Sequence, residues 1–261
     1  MSDAVMKCLS IERLRVEVGG TVAVKDVSLR LPASASCGLL GGNGSGKTSL
    51  FNAVCGVYPT TAGAIELFGE PVRRARTDRI VRRGVGRSLQ SVAQISDITA
   101  VQYVALGVAV ARSRSFLRRA APLPGTFRFE RAVLARAREL LDELELGAYA
   151  DVQLQDAPYG VRKLTDVVRA FAGDPRLVLL DEPTSGVGSD HRDALAELIR
   201  RWRDRNEASL LLIDHDVDFV ASICPHSVVL SAGEVLAEGP TAQVLADEHV
   251  VRDFLGIATD A

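Results

Sequence analysis

A glycine-rich segment with one lysine is the part of this sequence best suited to hold phosphate groups. Residues 41–48 read GGNGSGKT and fit the pattern G-x-x-x-x-G-K-[ST]. The glycines let consecutive backbone N–H groups turn inward around an anion, and a helix starting here adds the positive end of its dipole. We expect Lys47 to reach the β- and γ-phosphates of a nucleotide and Thr48 to bind Mg²⁺. The residues predicted to contact ATP here are Gly41, Gly42, Asn43, Gly44, Ser45, Gly46, Lys47, Thr48 and Ser49.

Two adjacent carboxylates and a histidine follow apolar runs later in the chain. In LVLLDEP, Asp181 and Glu182 come at the carboxyl end of a predicted strand, where open α/β sheets place their ligands. Asp181 suits the shell of a magnesium ion, and Glu182 suits the polarisation of a water for in-line attack on the γ-phosphate. His215 ends the run LLIDHD, where an imidazole can contact the same phosphate. The glycine loop alone leaves kinases, GTPases and motor ATPases open, and the acidic pair narrows that choice.

A parallel sheet is needed to bring these residues together. The run CGLL before the glycine loop and the helical spacing of Leu50, Phe51 and Val54 after it predict strand, loop and helix. LVLLDEP and SLLLIDHD are continuous apolar runs, typical of strands buried on both faces of a parallel sheet. A helix predicted to begin near Ser189 or Asp190 lies between them, which implies a right-handed crossover. The predicted fold class is therefore α/β with a mostly parallel sheet.

Other segments predict additions to this core. Alternating apolar residues on both sides of a Gly19–Gly20 turn indicate a small antiparallel sheet at the start of the chain. Residues from about 97 to 165 are mainly helical in pattern, interrupted by PLPGTF at 122–127. A hairpin is predicted around Ala232–Gly233. One helical face should carry Val133, Leu134, Ala137, Leu140, Leu141 and Leu144.

Composition limits the classes of protein that fit. The chain has 261 residues, 47% of them hydrophobic, and a formal charge of −2, which argues against a field that gathers nucleic acid. The arginine clusters at 73–83 and 112–119 are interpreted as solvated faces or a dock for a membrane partner. Its four cysteines lie far apart and are expected to be buried, reduced thiols. The longest apolar stretch, Tyr103–Ala111, is too short to span a bilayer, so a membrane connection is expected through a partner.

The order of these motifs resembles the ATP-binding subunit of ABC transporters. The segments that carry the resemblance are GGNGSGKT, SLQSV, PYGVRK, LVLLDEPTSG and LLIDHD, and it covers about residues 9–256. The stretches FGEPV, VGRSLQ and EVLAEGPTAQVL look most like the branched-chain amino acid importer branch. The resemblance implies one P-loop NTPase domain over 1–261. Its core and antiparallel β subdomain would comprise 1–95 and 166–261, and an inserted helical subdomain at 96–165 would carry the signature motif.

The resemblance also implies roles that the residues alone do not indicate. Gln90 would contact Mg²⁺ or the attacking water and sense the transmembrane partner. The signature segment, residues 157–161, reads APYGV and would clasp the ATP of a second subunit through Pro158, Tyr159 and Gly160. Pro158 stands at the position of the family's serine, so a charge-assisted hydrogen bond worth about 1.5 to 3 kcal/mol would be lost there. Val18 stands where relatives stack an aromatic ring on adenine, which predicts relaxed base selectivity.

The predicted assembly is a head-to-tail pair of ATPase subunits on the cytoplasmic face of the cell membrane. Its expected partners are permease subunits, a second copy or a paralogous ATPase, and indirectly a periplasmic or surface substrate-binding protein, with no nucleic acid. The leading hypothesis is an ATP-hydrolysing subunit of an importer for branched-chain amino acids or a related solute. A regulatory subunit of low hydrolytic activity and a soluble ABC ATPase acting on nucleic acid or ribosomes remain as alternatives.

Overall fold

A ten-stranded sheet forms the centre of the parts of the chain that the structure describes. The structure is a computed structural model and describes residues 7–72, 76–89, 97–112 and 126–255. Across the sheet the strands follow the order β5, β4, β1, β2, β10, β9, β3, β8, β7, β6. Their bounds are β1 Lys7–Val18, β2 Thr21–Pro32, β3 Ser36–Leu40, β4 Ala62–Leu67, β5 Glu70–Pro71, β6 Val85–Arg87, β7 Leu177–Asp181, β8 Ser209–Ile213, β9 His226–Ser231 and β10 Glu234–Pro240.

The sheet has a parallel part and an antiparallel part, as the sequence predicts. Strands β9, β3, β8, β7 and β6 pair in parallel, whereas β1, β2, β4 and β5 pair antiparallel. The predicted hairpins are confirmed at Gly19–Gly20, between β1 and β2, and at Ala232–Gly233, between β9 and β10. Every residue of β3, β7 and β8 is buried, because apolar side chains cover both faces of these strands.

Helices cover the sheet and fill the long connection between β6 and β7. Their bounds are α1 Lys47–Val54, α2 Thr77–Arg82, α3 Ala100–Arg112, α4 Thr126–Asp142, α5 Tyr159–Phe171, α6 Ser189–Asn206, α7 Val217–Ile223, α8 Thr241–Ala246 and α9 Glu248–Leu255. Within the described residues, no helix combines the length and apolar character that a bilayer crossing needs. The predicted subdomain limit at residue 165 falls inside α5, so this helix continues from the connection onto the sheet.

Two apolar clusters lie on opposite faces of the parallel strands. Val178 and Leu180 of β7 pack with the helices of one cluster, and Leu177 and Leu179 pack with the antiparallel strands and α1 in the other. The Phe171 ring of α5 stacks on Trp202 of α6, with centroids 4.4 Å apart. Both faces of the sheet are therefore fixed, which holds its carboxyl edge in place for the site.

Leu134 is more exposed than its sequence pattern predicts, whereas the four cysteines are buried as expected. Leu134 was predicted on the apolar face of its helix, but 39% of it is exposed because α4 turns this position toward solvent. The four cysteines are buried and free, as predicted. Burial raises the pKa of all four thiols, to about 12 for Cys37.

Candidate functional site

The glycine loop connects β3 to α1 at the carboxyl edge of the sheet. Gly41 has φ +140°, and a Cβ there would lie 2.2 Å from the carbonyl oxygen of Leu230. Gly46 has φ +105°, and its Cβ would lie 2.5 Å from the carbonyl oxygen of Ala23. Only glycine fits these two positions, because neighbouring strands press on the backbone where it turns left-handed. The loop is thereby shaped by the sheet around it.

Lys47 begins α1 and folds its amine back over the loop. Its Nζ donates hydrogen bonds to the carbonyl oxygens of Gly41 at 2.6 Å and Gly42 at 2.8 Å, and only 8% of the residue is exposed. Burial lowers the pKa of Lys47, and the negative charges of Glu182 and Asp181 oppose that shift. Both carboxylates are thus close enough to act on the lysine, so residues more than 130 positions apart meet at one edge of the sheet.

Asp181 ends β7 with a carboxylate that is fully buried. Neither of its oxygens accepts a hydrogen bond from the described residues, and Nη2 of Arg87 lies 3.9 Å from Oδ2. Burial raises the pKa of Asp181, whereas the charges of Arg87, Lys163 and Lys47 lower it. Buried carboxylate oxygens that accept no hydrogen bond have lone pairs available to coordinate a cation.

The oxygen ligands available near Asp181 are few, and this suits Mg²⁺ bound together with a nucleotide. No group of three or more His, Cys, Asp or Glu side chains with metal-site spacing occurs in the part of the chain described here. Mg²⁺ is commonly held by one or two protein oxygens together with substrate phosphates, and the half-buried Thr48 adds a hydroxyl in α1. The residues present therefore fit this ion when it arrives with a nucleotide.

Glu182 and His215 form a hydrogen-bonded pair at the same edge. His215 Nε2 lies 3.1 Å from Glu182 Oε1, and the two side chains are 47% and 28% exposed. Glu182 has φ +51° and its N–H donates to the carbonyl oxygen of Ile213 at 2.7 Å. A partly exposed carboxylate that is oriented by an imidazole can accept a proton from water.

Asp214 connects the loops that carry Glu182 and His215, and the sequence interpretation did not single it out. Its Oδ1 accepts from Thr184 Oγ1 at 2.7 Å and from the N–H of Asp216 at 3.0 Å, and its Oδ2 accepts from the N–H of Thr184 at 3.0 Å. The residue is 5% exposed. A carboxylate directly before the histidine was visible in LLIDHD, but its partners depend on the neighbouring strand.

The predicted signature segment lies at the start of α5. Pro158 is the N-cap and no side chain caps the first turn, while the 40% exposed Tyr159 follows it. The Tyr159 ring packs on Gly186, where a Cβ would lie 2.4 Å from the ring, and a Cβ on Gly160 would lie 3.1 Å from the Gly186 oxygen. The signature segment is therefore seated on the loop that follows Glu182.

Five further predicted site residues lie away from the groups above or outside the residues that the structure describes. Val18 is the last residue of β1 and is partly buried against the cluster that contains α1. Asn43 and Gly44 are exposed at the tip of the glycine loop, and Ser49 is half-buried in α1. Gln90 lies outside the described residues, so its predicted contact with Mg²⁺ or water stays a prediction.

Comparisons with known proteins agree with this arrangement. A family model described as ABC transporter matches residues 24–185. The chain is 32% identical over 250 residues to the high-affinity branched-chain amino acid transport ATP-binding protein BraF of Pseudomonas aeruginosa, covering 96% of this chain and 98% of BraF. It is 30% identical over 251 residues to the lipopolysaccharide export system ATP-binding protein LptB of Escherichia coli, covering 96% and 98%. Its fold is similar to a solved nucleotide-free ATP-binding cassette from an ABC transporter, with a TM-score of 0.78, 21% identity and coverage of 94% and 98%.

Proposed function

Because this chain belongs to the ABC transporter family, and so binds and hydrolyses ATP to drive transport, we propose that it powers an importer for branched-chain amino acids or a related small solute. The family resemblance inferred from the motifs is confirmed. The observation that best supports the catalytic part is the meeting of Lys47 and Asp181 with the Glu182–His215 pair at one edge of the sheet. The proposed cargo has its support in the similarity to BraF.

The glycine loop and Lys47 bind the triphosphate. The loop amides and the start of α1 face the phosphates, and Lys47 exchanges its bonds to Gly41 and Gly42 for phosphate oxygens. A buried ammonium that gives up two carbonyl acceptors for anionic oxygens gains charge-assisted hydrogen bonds. This exchange favours nucleotides with a γ-phosphate.

Glu182 activates the attacking water, and His215 orients the Glu182 carboxylate. His215 holds Oε1 of Glu182 at 3.1 Å, and this leaves the second carboxylate oxygen for the water. Asp181 and Thr48 would hold Mg²⁺ together with Gln90, and the ion would neutralise charge on the β- and γ-phosphate oxygens. Asp214 fixes the loop after Glu182 relative to the loop that carries His215, because it accepts hydrogen bonds from Thr184 and Asp216.

The signature segment serves the ATP of a second ATPase subunit, and it does so weakly. Pro158 offers no hydroxyl, so only the uncapped backbone N–H groups at the start of α5 face a phosphate. This favours an asymmetric pair with a paralogue, in which the site containing Lys47 and Glu182 of this chain turns over faster. If Glu182→Gln in this chain barely lowers hydrolysis by the pair, the assignment of the complete site is wrong.

A groove between α2, β6, α3 and the end of α5 is the proposed dock for a permease. It has a volume of about 820 Å³. Five of the nine exposed large apolar residues in the described parts of the chain line it, namely Val57, Val81, Leu89, Leu106 and Val110. Among the residues described here, its charged lining comprises five arginines, Arg82, Arg83, Arg87, Arg169 and Arg176, and one carboxylate, Asp174. This lining suits an amphipathic permease segment with apolar and acidic side chains.

Docking can be tested with a matched pair of variants. Leu106→Ser is expected to reduce co-purification with the permease subunits, whereas Leu134→Ser removes an exposed leucine outside the groove and should not. Both variants should hydrolyse ATP like the unmodified chain in the absence of permease. Equal recovery of permease with both variants would contradict the proposed dock. We propose that this dock holds the chain at the cytoplasmic face of the membrane.

Reconstitution into proteoliposomes with the cognate permease and binding protein tests the whole proposal. ATP-dependent uptake of leucine is expected, with loss of uptake in Glu182→Gln and retention in Glu197→Gln, a surface carboxylate of α6. Similarity to LptB supports a second candidate, export of lipopolysaccharide. Release of lipopolysaccharide without leucine uptake would favour that candidate.

A further inference from the structure

A buried polar cluster joins α3, α5 and the end of β6 beside the site. Asp166 of α5 is fully buried, and its Oδ1 accepts from Tyr103 Oη at 2.7 Å. The same oxygen accepts from Arg169 Nε at 2.9 Å and Nη2 at 2.7 Å. The Arg169 guanidinium also lies over the Tyr103 ring, 5.1 Å from its centroid. Three side chains from two helices thus form one connected network.

This network holds the backbone of residues 87–89. Asp166 Oδ2 accepts from the N–H of Leu89, and Arg169 Nη2 donates to the carbonyl oxygen of Arg87 at 2.7 Å. Between them, Ser88 Oγ accepts from the N–H of Asp181 at 2.9 Å, and the N–H of Ser88 donates to the carbonyl oxygen of Leu179 at 3.0 Å. Residues 87–89 are therefore hydrogen-bonded to α5 on one side and to β7, which carries Asp181, on the other.

The network also reaches the surface of the groove. Arg87, Leu89, Tyr103 and Arg169 are among the residues that line it. Leu89, Tyr103 and Arg169 each donate directly to Asp166, so an occupant that contacts any of them is one hydrogen bond from this carboxylate. Since Asp166 binds the segment whose central serine holds Asp181, a shift of the network is passed to the catalytic edge of the sheet.

We propose that Asp166 is a positioning residue that fixes residues 87–89 against Asp181 and passes permease contact in the groove to the hydrolytic site. The proposal rests on the proposed function for the identity of the groove's occupant. The positioning part does not, because the hydrogen bonds lie within this chain. A charged acceptor suits the role, since its two oxygens serve four donors from three elements.

The substitution Asp166→Asn tests positioning in the isolated full chain. Its amide nitrogen cannot accept a hydrogen bond. Three of the four donors share Oδ1, so the remaining oxygen is expected to face them and the nitrogen to face the N–H of Leu89. We expect amide hydrogen exchange at Leu89 to quicken about tenfold or more. The kcat for ATP should fall about tenfold, while KM and the ATP dissociation constant stay within about twofold, since the glycine loop is untouched.

Asp193→Asn is the matched control, because it makes the same chemical change at an exposed position of α6 outside the network and the groove. It should keep exchange at Leu89 and kcat within about twofold of the unmodified chain. Should Asp166→Asn fail to fold, leucic acid at residue 89 replaces only the N–H by an ester oxygen and should produce the same fall in kcat. An unchanged kcat with either change, or equal losses in kcat and ATP affinity, would overturn the positioning role.

The relay part is measured with permease present. Asp166→Asn should still bind the permease and lose most of the permease-dependent stimulation of hydrolysis, whereas Leu106→Ser loses binding itself. Normal stimulation of Asp166→Asn would overturn the relay. If neither the variants nor the unmodified chain binds permease, the proposed dock is wrong. Exchange at Leu89 and kcat of the isolated chain still test the positioning role of Asp166 in that case.

Discussion

Replacing Asp214 by asparagine should weaken both the fold and the reaction, by amounts that follow from its hydrogen bonds. The buried carboxylate accepts three of them, two from Thr184 and one from Asp216. Asparagine keeps one acceptor oxygen, so at least one donor faces an N–H group in either orientation. Loss of one charge-assisted bond in a buried site costs about 2 to 3 kcal/mol of unfolding free energy. For a chain of this size the melting temperature should fall by about 5 to 10 °C.

Activity should fall through the geometry of the Glu182–His215 pair. Asp214 holds the residue two positions after Glu182 and the residue one position after His215, so its loss frees both loops. We expect kcat to fall about tenfold with little change in ATP affinity, because the glycine loop lies on other strands. Calorimetric unfolding, steady-state phosphate release and titration calorimetry with ATP measure these three quantities.

Two controls distinguish loss of the Asp214 hydrogen bonds from a general loss of stability. Asp218→Asn makes the same chemical change at an exposed position of α7 and should leave stability and rate nearly unchanged. Thr184→Val removes one donor to Asp214, and its effect combined with Asp214→Asn should be less than additive because the two groups share a bond. Full stability and normal kcat in Asp214→Asn would refute the reasoning.

Four further outcomes follow from the site and the core. Glu182→Gln should lower hydrolysis by about 10² to 10⁴ and leave ATP binding intact by calorimetry; a rate above half of normal would contradict the role of the carboxylate. Gly46→Ala, at φ +105° with its Cβ 2.5 Å from a backbone oxygen of β2, should abolish ATP binding and destabilise the chain by about 1 to 3 kcal/mol, whereas Gly42→Ala has open space and should be tolerated. Val18 at the adenine position predicts comparable phosphate release from ATP and GTP, and a strong preference for ATP would count against it. Burial raises the pKa of Cys37 from 9.0 to about 12, so its contribution to unfolding free energy is full below pH 9 and falls by about 1.4 kcal/mol per pH unit up to pH 12; denaturation at pH 8 and pH 10, compared with Cys37→Ala, checks this.

Seven of the ten strands in the described sheet could be predicted because each carries its own apolar pattern, whereas the sequence interpretation did not single out β4, β5 and β6. The runs LVLLD and SLLLI contain only residues that tolerate burial on both faces, and glycines with positive φ stand in both predicted hairpin turns, at Gly19, Gly20 and Gly233. Leu134 shows the limit of such patterns. Its spacing matches the apolar stripe of α4, yet the rotation of the helix against its neighbours leaves it exposed.

The site divides in the same way between local motif and tertiary contact. Lys47, Asp181 and Glu182 stand next to strand ends in the sequence, so a parallel sheet must bring them to one edge. Asp166 and Tyr103 lie 63 positions apart on two helices, and nothing in either local pattern indicates that they meet. The crossing of α3 and α5 decides that contact, and single-sequence periodicity does not determine such a crossing.

The short strand β6 has a further consequence for how this chain meets other polypeptides. In the sheet described here, β6 is a terminal strand of three residues, and two polar groups at its carboxyl end, the carbonyl oxygen of Arg87 and the N–H of Leu89, bind Arg169 and Asp166. A terminal strand with free amides and carbonyls invites another polypeptide to extend the sheet, which is a common route to aggregation. Side chains of α5 occupy two of these groups here, so this end of the strand is a poorer template for another polypeptide.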